Sequence, residues 1–132
     1  MNAYERIETV SLTSDAPATV RRLVASLIDH RRANGQTISD DAAARVTLVA
    51  SELVADAAEH GSDAATINVD VTDDAVIRVE VFDGPRRRWI VTKDDPVDVS
   101  RLRAQLVIGA SDGSSSTDLG DGHFTRCEIH YA

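Results

Sequence analysis

The chain lacks the features that mark secreted, membrane-spanning and nucleic-acid-binding proteins. Its single cysteine, Cys127, excludes an internal disulfide and fits a reducing compartment. No charged-then-apolar leader begins it, and no apolar run reaches membrane-spanning length. Basic residues number 14 against 22 acidic ones, and a formal net charge of -8 argues against a partner whose phosphates need a basic surface. We therefore expect a cytoplasmic protein that binds neither nucleic acid nor membrane.

The chain has enough apolar residues for one folded domain. Its 132 residues are 42% hydrophobic, which excludes a disordered chain and suits a single domain over residues 1–132. The order of predicted elements is strand, helix, helix, strand, strand, strand, helix, strand. This order predicts an α+β fold: a two-layer sandwich of a mainly antiparallel sheet with about three helices on one face.

Local signals place these elements along the chain. Residues 4–12 form an edge strand, and a helix capped by Ser14 and Asp15 follows and ends at Gly35. A second helix begins at Ser39. The remaining segments are two hairpin strands that alternate from Ile67 and from Ile77, an extended run at 89–91, a helix at 97–108, a mobile connection at 109–122 and a last strand at 123–131.

The second helix carries two different faces. One face is an apolar stripe that points into a core, formed by Val46, Val49, Leu53 and Ala57. The other face is charged, because Glu52, Asp56 and His60 follow at spacings of four, with Glu59 at the edge. Two interpretations are open: a solvated acidic face, or a site that binds a cation and, through it, an anion such as phosphate.

The second hairpin strand places one more carboxylate near this helix. Asp83 has the same parity as Ile77, Val79 and Val81, so it points to the core side where the strand ends. Gly84 follows at the strand end. We expect a concave site between the second helix and the sheet, lined by Glu52, Asp56 and Asp83.

The segment from Glu52 to Gly61, E-L-V-A-D-A-A-E-H-G, resembles the N-box helix of the histidine-kinase-like ATPases. Within that family it is most similar to the small bacterial anti-sigma factors that are also serine-protein kinases, whose helix reads E-L-V-x-N-A-x-x-H-G. Asp83-Gly84 resembles the start of the family's first glycine box. The order and spacing of the elements match this family across nearly the whole chain.

The resemblance implies a role for each matched residue. Glu52 takes the position of the general base, and Asp56 that of the asparagine that holds magnesium on the phosphates. Asp83 takes the position of the aspartate that accepts a hydrogen bond from the adenine amino group. Gly84 lets the backbone approach the adenine ring. ATP and magnesium are the implied cofactors.

The chain departs from the family pattern where the phosphates should bind. It has aspartate at 56, and no glycine between Gly84 and Gly109, where the second glycine box and the nucleotide lid belong. Backbone N–H groups at such glycines cradle phosphates. Asp94 and Asp95 stand in this stretch, and their charge repels a triphosphate.

Three functions stay open. The first is an ATP-binding regulator of the anti-sigma type, a possible serine/threonine-protein kinase that binds a sigma factor or a STAS-type anti-anti-sigma protein. The second is a relative that no longer binds ATP and regulates by protein binding alone. The third is a small metal-dependent hydrolase that uses Glu52, Asp56 and His60. Because edge strands invite pairing, the strand at 4–12 predicts a homodimer contact.

Overall fold

In the described part of the chain, three helices lie against an open five-stranded antiparallel sheet, which confirms the predicted α+β sandwich. The computed structural model describes residues 5–59, 63–72, 74–84, 99–119 and 122–131. None of the helices in these ranges combines the length and the apolarity that crossing a membrane requires. The elements are β1 Glu5–Ser11, α1 Ala16–Ala33, α2 Asp40–Glu59, β2 Ala64–Val71, β3 Val76–Asp83, α3 Val99–Ala110, β4 Gly113–Asp118 and β5 His123–His130.

The strands lie in the order β1-β2-β3-β5-β4, and each is antiparallel to its neighbours. β1 is at one edge, as the sequence predicts for residues 4–12, and β4 is at the other. The predicted extended run at 89–91 lies outside the described residues. So do His60 and Gly61, at the predicted end of α2.

Alternation along β2 and β3 defines the face of the sheet that carries the helices. The inward residues of the hairpin are at most 2% exposed, and β5 continues this face with Cys127 and Ile129 at 0%. Each fully buried aliphatic side chain contributes roughly 1.5–3 kcal/mol through apolar burial. The inward hairpin residues are Ile67, Val69, Val71, Ile77, Val79 and Val81.

α2 occupies the centre of the helical layer. It contacts both other helices and also β2, β3 and β5. Its predicted apolar stripe is buried, with Val46, Val49 and Ala57 at 0% exposure and Leu53 at 8%. The Ser39 hydroxyl accepts a hydrogen bond from the Ala42 N–H at 3.1 Å, which caps the first turn.

α1 ends as predicted but begins differently. Gly35 has a φ of +96°, the Gln36 N–H donates to the Arg31 carbonyl at 3.0 Å, and the Gly35 N–H donates to the Arg32 carbonyl at 3.1 Å. This pair of bonds is a Schellman motif. At the other end Asp15 is the N-cap residue, but its side chain makes no capping hydrogen bond, so the predicted side-chain cap at Asp15 is wrong.

The segment 109–122 contains a strand that the sequence did not predict. β4 pairs with β5 from Gly113 to Asp118, so the interpretation of the whole segment as a mobile connection is wrong. The sequence does not reveal β4 because this strand lies at the edge of the sheet. Five of its six residues are exposed, so its sequence has no apolar alternation. Beyond β4, the Leu119 N–H donates a hydrogen bond to the Gly122 carbonyl at 2.7 Å.

Arg45 and Asp112 join α2 to the start of β4 and the end of β5. Arg45 donates to the Asp112 carboxylate, to the His130 carbonyl and to the Asp41 carboxylate, each at 3.1 Å. Asp112 also accepts the His130 backbone N–H at 2.7 Å. This backbone bond, followed by the Arg45 guanidinium, lowers the pKa of the Asp112 carboxyl below its ordinary value of 3.8.

We expect Asp112→Asn to destabilise the fold at neutral pH and to have less effect in acid. Because the folded-state pKa of Asp112 is lowered, the charged carboxylate stabilises the fold above the unfolded-state pKa, and this contribution is lost as pH falls through the folded-state pKa. Urea titrations should therefore show a difference from wild type in unfolding free energy that is constant at neutral pH and shrinks as the pH falls below about 5.

Asp41→Asn is the matched control for this prediction. It removes a carboxylate from the same guanidinium, but the Asp41 side chain is 80% exposed and bonds no backbone group of β5. We expect a smaller loss of stability, since exposed i,i+4 pairs contribute little. An equal loss with the same pH dependence would show that Arg45, and not the Asp112 bridge to β5, governs the effect.

Candidate functional site

A groove of about 230 Å³ opens between α2, α3 and the β4–β5 end of the sheet. Its helical walls include the apolar side chains of Leu53 on α2 and of Val107 and Ile108 on α3. Glu52 and Asp56 of α2 add two half-buried carboxylates to the lining. The groove is therefore an apolar cleft with acidic groups along one side.

The sheet wall of this groove carries hydroxyl groups and one imidazole. Ser114 and Ser116 of β4 lie beside Thr125 and His123 of β5. Within the described residues, the lining contains no lysine or arginine. In the described part of the lining, the polar groups that an anion meets are carboxylates, hydroxyls and a single histidine.

Glu52 and Asp56 are one helical turn apart, which places their side chains on the same face of α2. Carboxylate oxygens are ligands that magnesium prefers, and magnesium in phosphate sites is usually held by one or two carboxylates together with phosphate oxygens and water. The pair fits such an ion. Among the described residues, no three or more His, Cys, Asp or Glu side chains are grouped to hold a metal by themselves, so the bound anion would have to complete the coordination.

Asp83 points to the helical side of the sheet, as its parity predicts, and is only 1% exposed. It is not part of the groove lining. Its cross-strand neighbours are Ala65 on β2 and His123 on β5. The structure therefore brings Glu52 and Asp56 together directly and places Asp83 one strand away, next to a histidine that does line the groove.

A row of three ionisable residues crosses the sheet at this end. Asp118 on β4, His123 on β5 and Asp83 on β3 are consecutive cross-strand partners with the same parity. His123 also has a hydrogen bond to a residue of the next row, with 2.6 Å between its Nε2 and the Ser116 Oγ. The Ser116 Oγ is 3.4 Å from the Thr125 hydroxyl.

Sequence reasoning missed both Ser116 and His123. His123 begins the predicted last strand, and the alternation that buries Cys127 and Ile129 places it on the inward face. That alternation was a usable signal. Ser116 had none, because β4 shows no apolar pattern and its pairing with β5 is a tertiary contact.

Glycine is required by the protein's own packing at 122 and not at 84. A Cβ at Gly84 would meet no atom of the described residues within 4 Å. A Cβ at Gly122 would lie 2.8 Å from the Asp83 carbonyl oxygen and would overlap the Phe82 ring. Gly122 thus lets the chain just before β5 lie against the end of β3.

Comparison with known proteins gives a fold and no family. No protein-family model matches the chain, and no curated protein matches it in sequence. A solved structure that it resembles is that of the RsbU and RsbW domains of Rv1364c from Mycobacterium tuberculosis, with a TM-score of 0.73 and 15% identity. The match covers 96% of this chain and 32% of the other, so this chain spans about a third of that protein's length. At this identity the similarity establishes a shared fold.

Proposed function

We propose that this protein is an ATP-binding regulator of the anti-sigma factor and serine-protein kinase type, which acts in bacterial transcription by partner switching. The observation that carries the proposal is the shared groove of Glu52 and Asp56. These residues occupy the general-base and magnesium positions of the N-box pattern that the helix resembles. A groove with apolar walls and a few polar groups is the usual form of a cofactor site.

The shared fold supports the proposal at a coarser level. The chain aligns over 96% of its length with a structure that contains an RsbW domain, and partner switching agrees with that likeness. A sigma factor or a STAS-type anti-anti-sigma protein is the partner that the proposal implies. The negative net charge of -8 suits a partner with a basic contact surface.

In this proposal each matched residue has a distinct task. Glu52 takes the proton from the attacking hydroxyl of a substrate. Asp56 holds magnesium. Asp83, which is buried one strand away from the groove lining, is the residue that the pattern assigns to the hydrogen bond from the adenine amino group. Gly84 follows Asp83 and leaves space above the backbone.

The second candidate is a relative that regulates by protein binding alone. It is favoured by the absence of glycine between Gly84 and Gly109, which removes the backbone donors that would cradle a triphosphate. The carboxylates of Glu52 and Asp56 in the groove would also repel the triphosphate. Titration of the protein with ATP, with and without magnesium, separates the two candidates.

We expect Asp56→Asn to strengthen the binding of magnesium-ATP by about tenfold, or about 1.4 kcal/mol. An asparagine oxygen also ligates the metal but removes one negative charge from a face that Glu52 shares. Like charges about 4 Å apart cost about 4 kcal/mol at an effective dielectric near 20. Calorimetry at matched salt and magnesium measures the change.

Glu59→Gln is the matched control for Asp56→Asn. It removes the same charge from the same helix, but Glu59 is exposed and does not line the groove. We expect little change in affinity from it. If wild type binds tightly and Asp56→Asn binds more weakly, then Asp56 is an adapted metal ligand and our account of the charge is wrong. If neither protein binds ATP, the protein-binding candidate is left.

A homodimer through β1 is a further part of the proposal. β1 is an edge strand, and its Ile7 side chain is 57% exposed on the face of the sheet away from the helices. We expect light scattering at micromolar concentration to show a dimer, and Ile7→Lys to shift it to monomer, since an edge lysine opposes strand pairing. Leu106→Lys, at a residue 51% exposed on α3, should leave the dimer intact. A monomeric wild type refutes this contact.

A further inference from the structure

Ser116 is an exposed serine that lines the groove and is hydrogen-bonded to a histidine. It is exposed on β4, its side chain lies on the helix-facing side of the sheet, and it lines the groove. The 2.6 Å separation of its Oγ from the His123 Nε2 is a short hydrogen bond. When this nitrogen carries no proton, it accepts the bond and can take the hydroxyl proton as the oxygen attacks.

The neighbours of His123 favour the positive charge that its imidazole gains when it takes the hydroxyl proton. Its direct cross-strand neighbours are Asp118 on one side and the buried Asp83 on the other. A carboxylate beside an imidazole stabilises the imidazolium form. The hydrogen-bonded pair of serine and histidine is the geometry of a nucleophile beside its base, and the two aspartates are the nearest residues on the neighbouring strands.

The position of this pair suggests its substrate. Ser116 borders the same groove as Glu52 and Asp56, where the function proposed above places the phosphates and magnesium. Catalysis of phosphoryl transfer depends largely on positioning the nucleophile near the γ-phosphate. A serine that shares the groove with the phosphates would therefore be placed to accept the phosphoryl group.

We propose that Ser116 is a phosphoryl acceptor within its own chain, activated by His123; this inference rests on the proposed function. The Ser116 Oγ attacks the γ-phosphorus of ATP and forms an O–P bond. The bond from that phosphorus to the bridging oxygen breaks, and ADP leaves. The hydroxyl proton passes to the His123 Nε2 and then to solvent. Glu52 keeps its task for a hydroxyl of a partner, and Ser116 uses the base beside it.

Phosphorylation of Ser116 has a consequence for the groove itself. Phosphoserine adds a charge of about -1.5 to -2 at neutral pH. This charge stands in a lining that already holds Glu52 and Asp56 and, within the described residues, no lysine or arginine. The modified chain therefore binds nucleotide less well, and the reaction limits itself.

The experiment incubates wild-type protein with magnesium-ATP and measures intact mass, followed by peptide mapping. We expect one added phosphoryl group at Ser116, with an initial rate per molecule that does not change on tenfold dilution, as a reaction within one chain requires. Calorimetry on the same preparation measures nucleotide binding. The phosphorylated protein should bind ATP at least several-fold more weakly than the unmodified protein.

Two variants identify the acceptor and its base. Ser115→Ala is the matched control: Ser115 is also exposed at the groove, but strand alternation points its side chain to the other face of the sheet, opposite Arg126. Its phosphorylation should match wild type, whereas Ser116→Ala should show none. His123→Gln keeps a hydrogen-bonding group but cannot take the proton, so we expect a loss of rate of about 100-fold or more.

A probe without nucleotide tests the activation separately. An alkyl fluorophosphonate should form an adduct at Ser116: the oxygen bonds to phosphorus, fluoride leaves, and His123 takes the proton. His123→Gln should abolish this labelling while its circular dichroism spectrum and thermal midpoint stay close to wild type. Failure of wild type to form the adduct overturns the activation of Ser116 by His123.

The outcomes distinguish this inference from the function on which it rests. If ATP binds and the added phosphate is absent or lies on another residue, Ser116 is not the acceptor and the proposed function stands. A rate that falls in proportion to concentration shows transfer between molecules and overturns transfer within one chain. If ATP does not bind at all, both proposals fail together.

Discussion

The packing of α2 against the sheet is the contact on which the rest of the structure depends. Val46 and Val49 are fully buried and Leu53 nearly so, and α2 contacts α1, α3 and three strands. Because helical residues rotate by about 100° each, burial of this stripe fixes the direction of Glu52 and Asp56. They cannot point into the core, and they are directed towards the cleft between α3 and β5.

The register of the antiparallel sheet is the second constraint on the site. A slip of one residue between β3 and β5 would move His123 to the other face. The buried partners Val79 and Cys127 prevent this, because a slip would expose an entire inward row. The cross-strand position of Asp83 beside His123 is therefore enforced by apolar residues further along the same strands, and not by attraction between the two polar groups.

The sequence predicted the elements in which burial is periodic. The stripe of α2, the hairpin of β2 and β3 and the inward parity of Asp83 all follow from alternation or helical spacing, and the structure contains them. β4 was not predicted, because an edge strand with most of its residues exposed has no hydrophobic pattern in its sequence. The contact between Ser116 and His123 was not predicted for the same reason. It depends on the pairing of β4 with β5, and no local signal in the sequence of β4 indicates that pairing.

The electrostatics of the groove decide how it handles phosphate. In a fold with glycine-rich turns, backbone N–H groups share the charge of a triphosphate with the metal. Here no glycine lies between 84 and 109, and the described lining offers carboxylates, hydroxyls and one imidazole. Under the proposed function, a metal ion held by Asp56 would have to offset both the phosphate charge and the carboxylates around it. Because the screening of such half-buried charges is incomplete, that metal would supply a larger share of the affinity for ATP than it would beside a glycine-rich turn. Aspartate at 56, where the N-box pattern that the helix resembles has asparagine, adds one more negative charge that a metal would have to offset before ATP could bind.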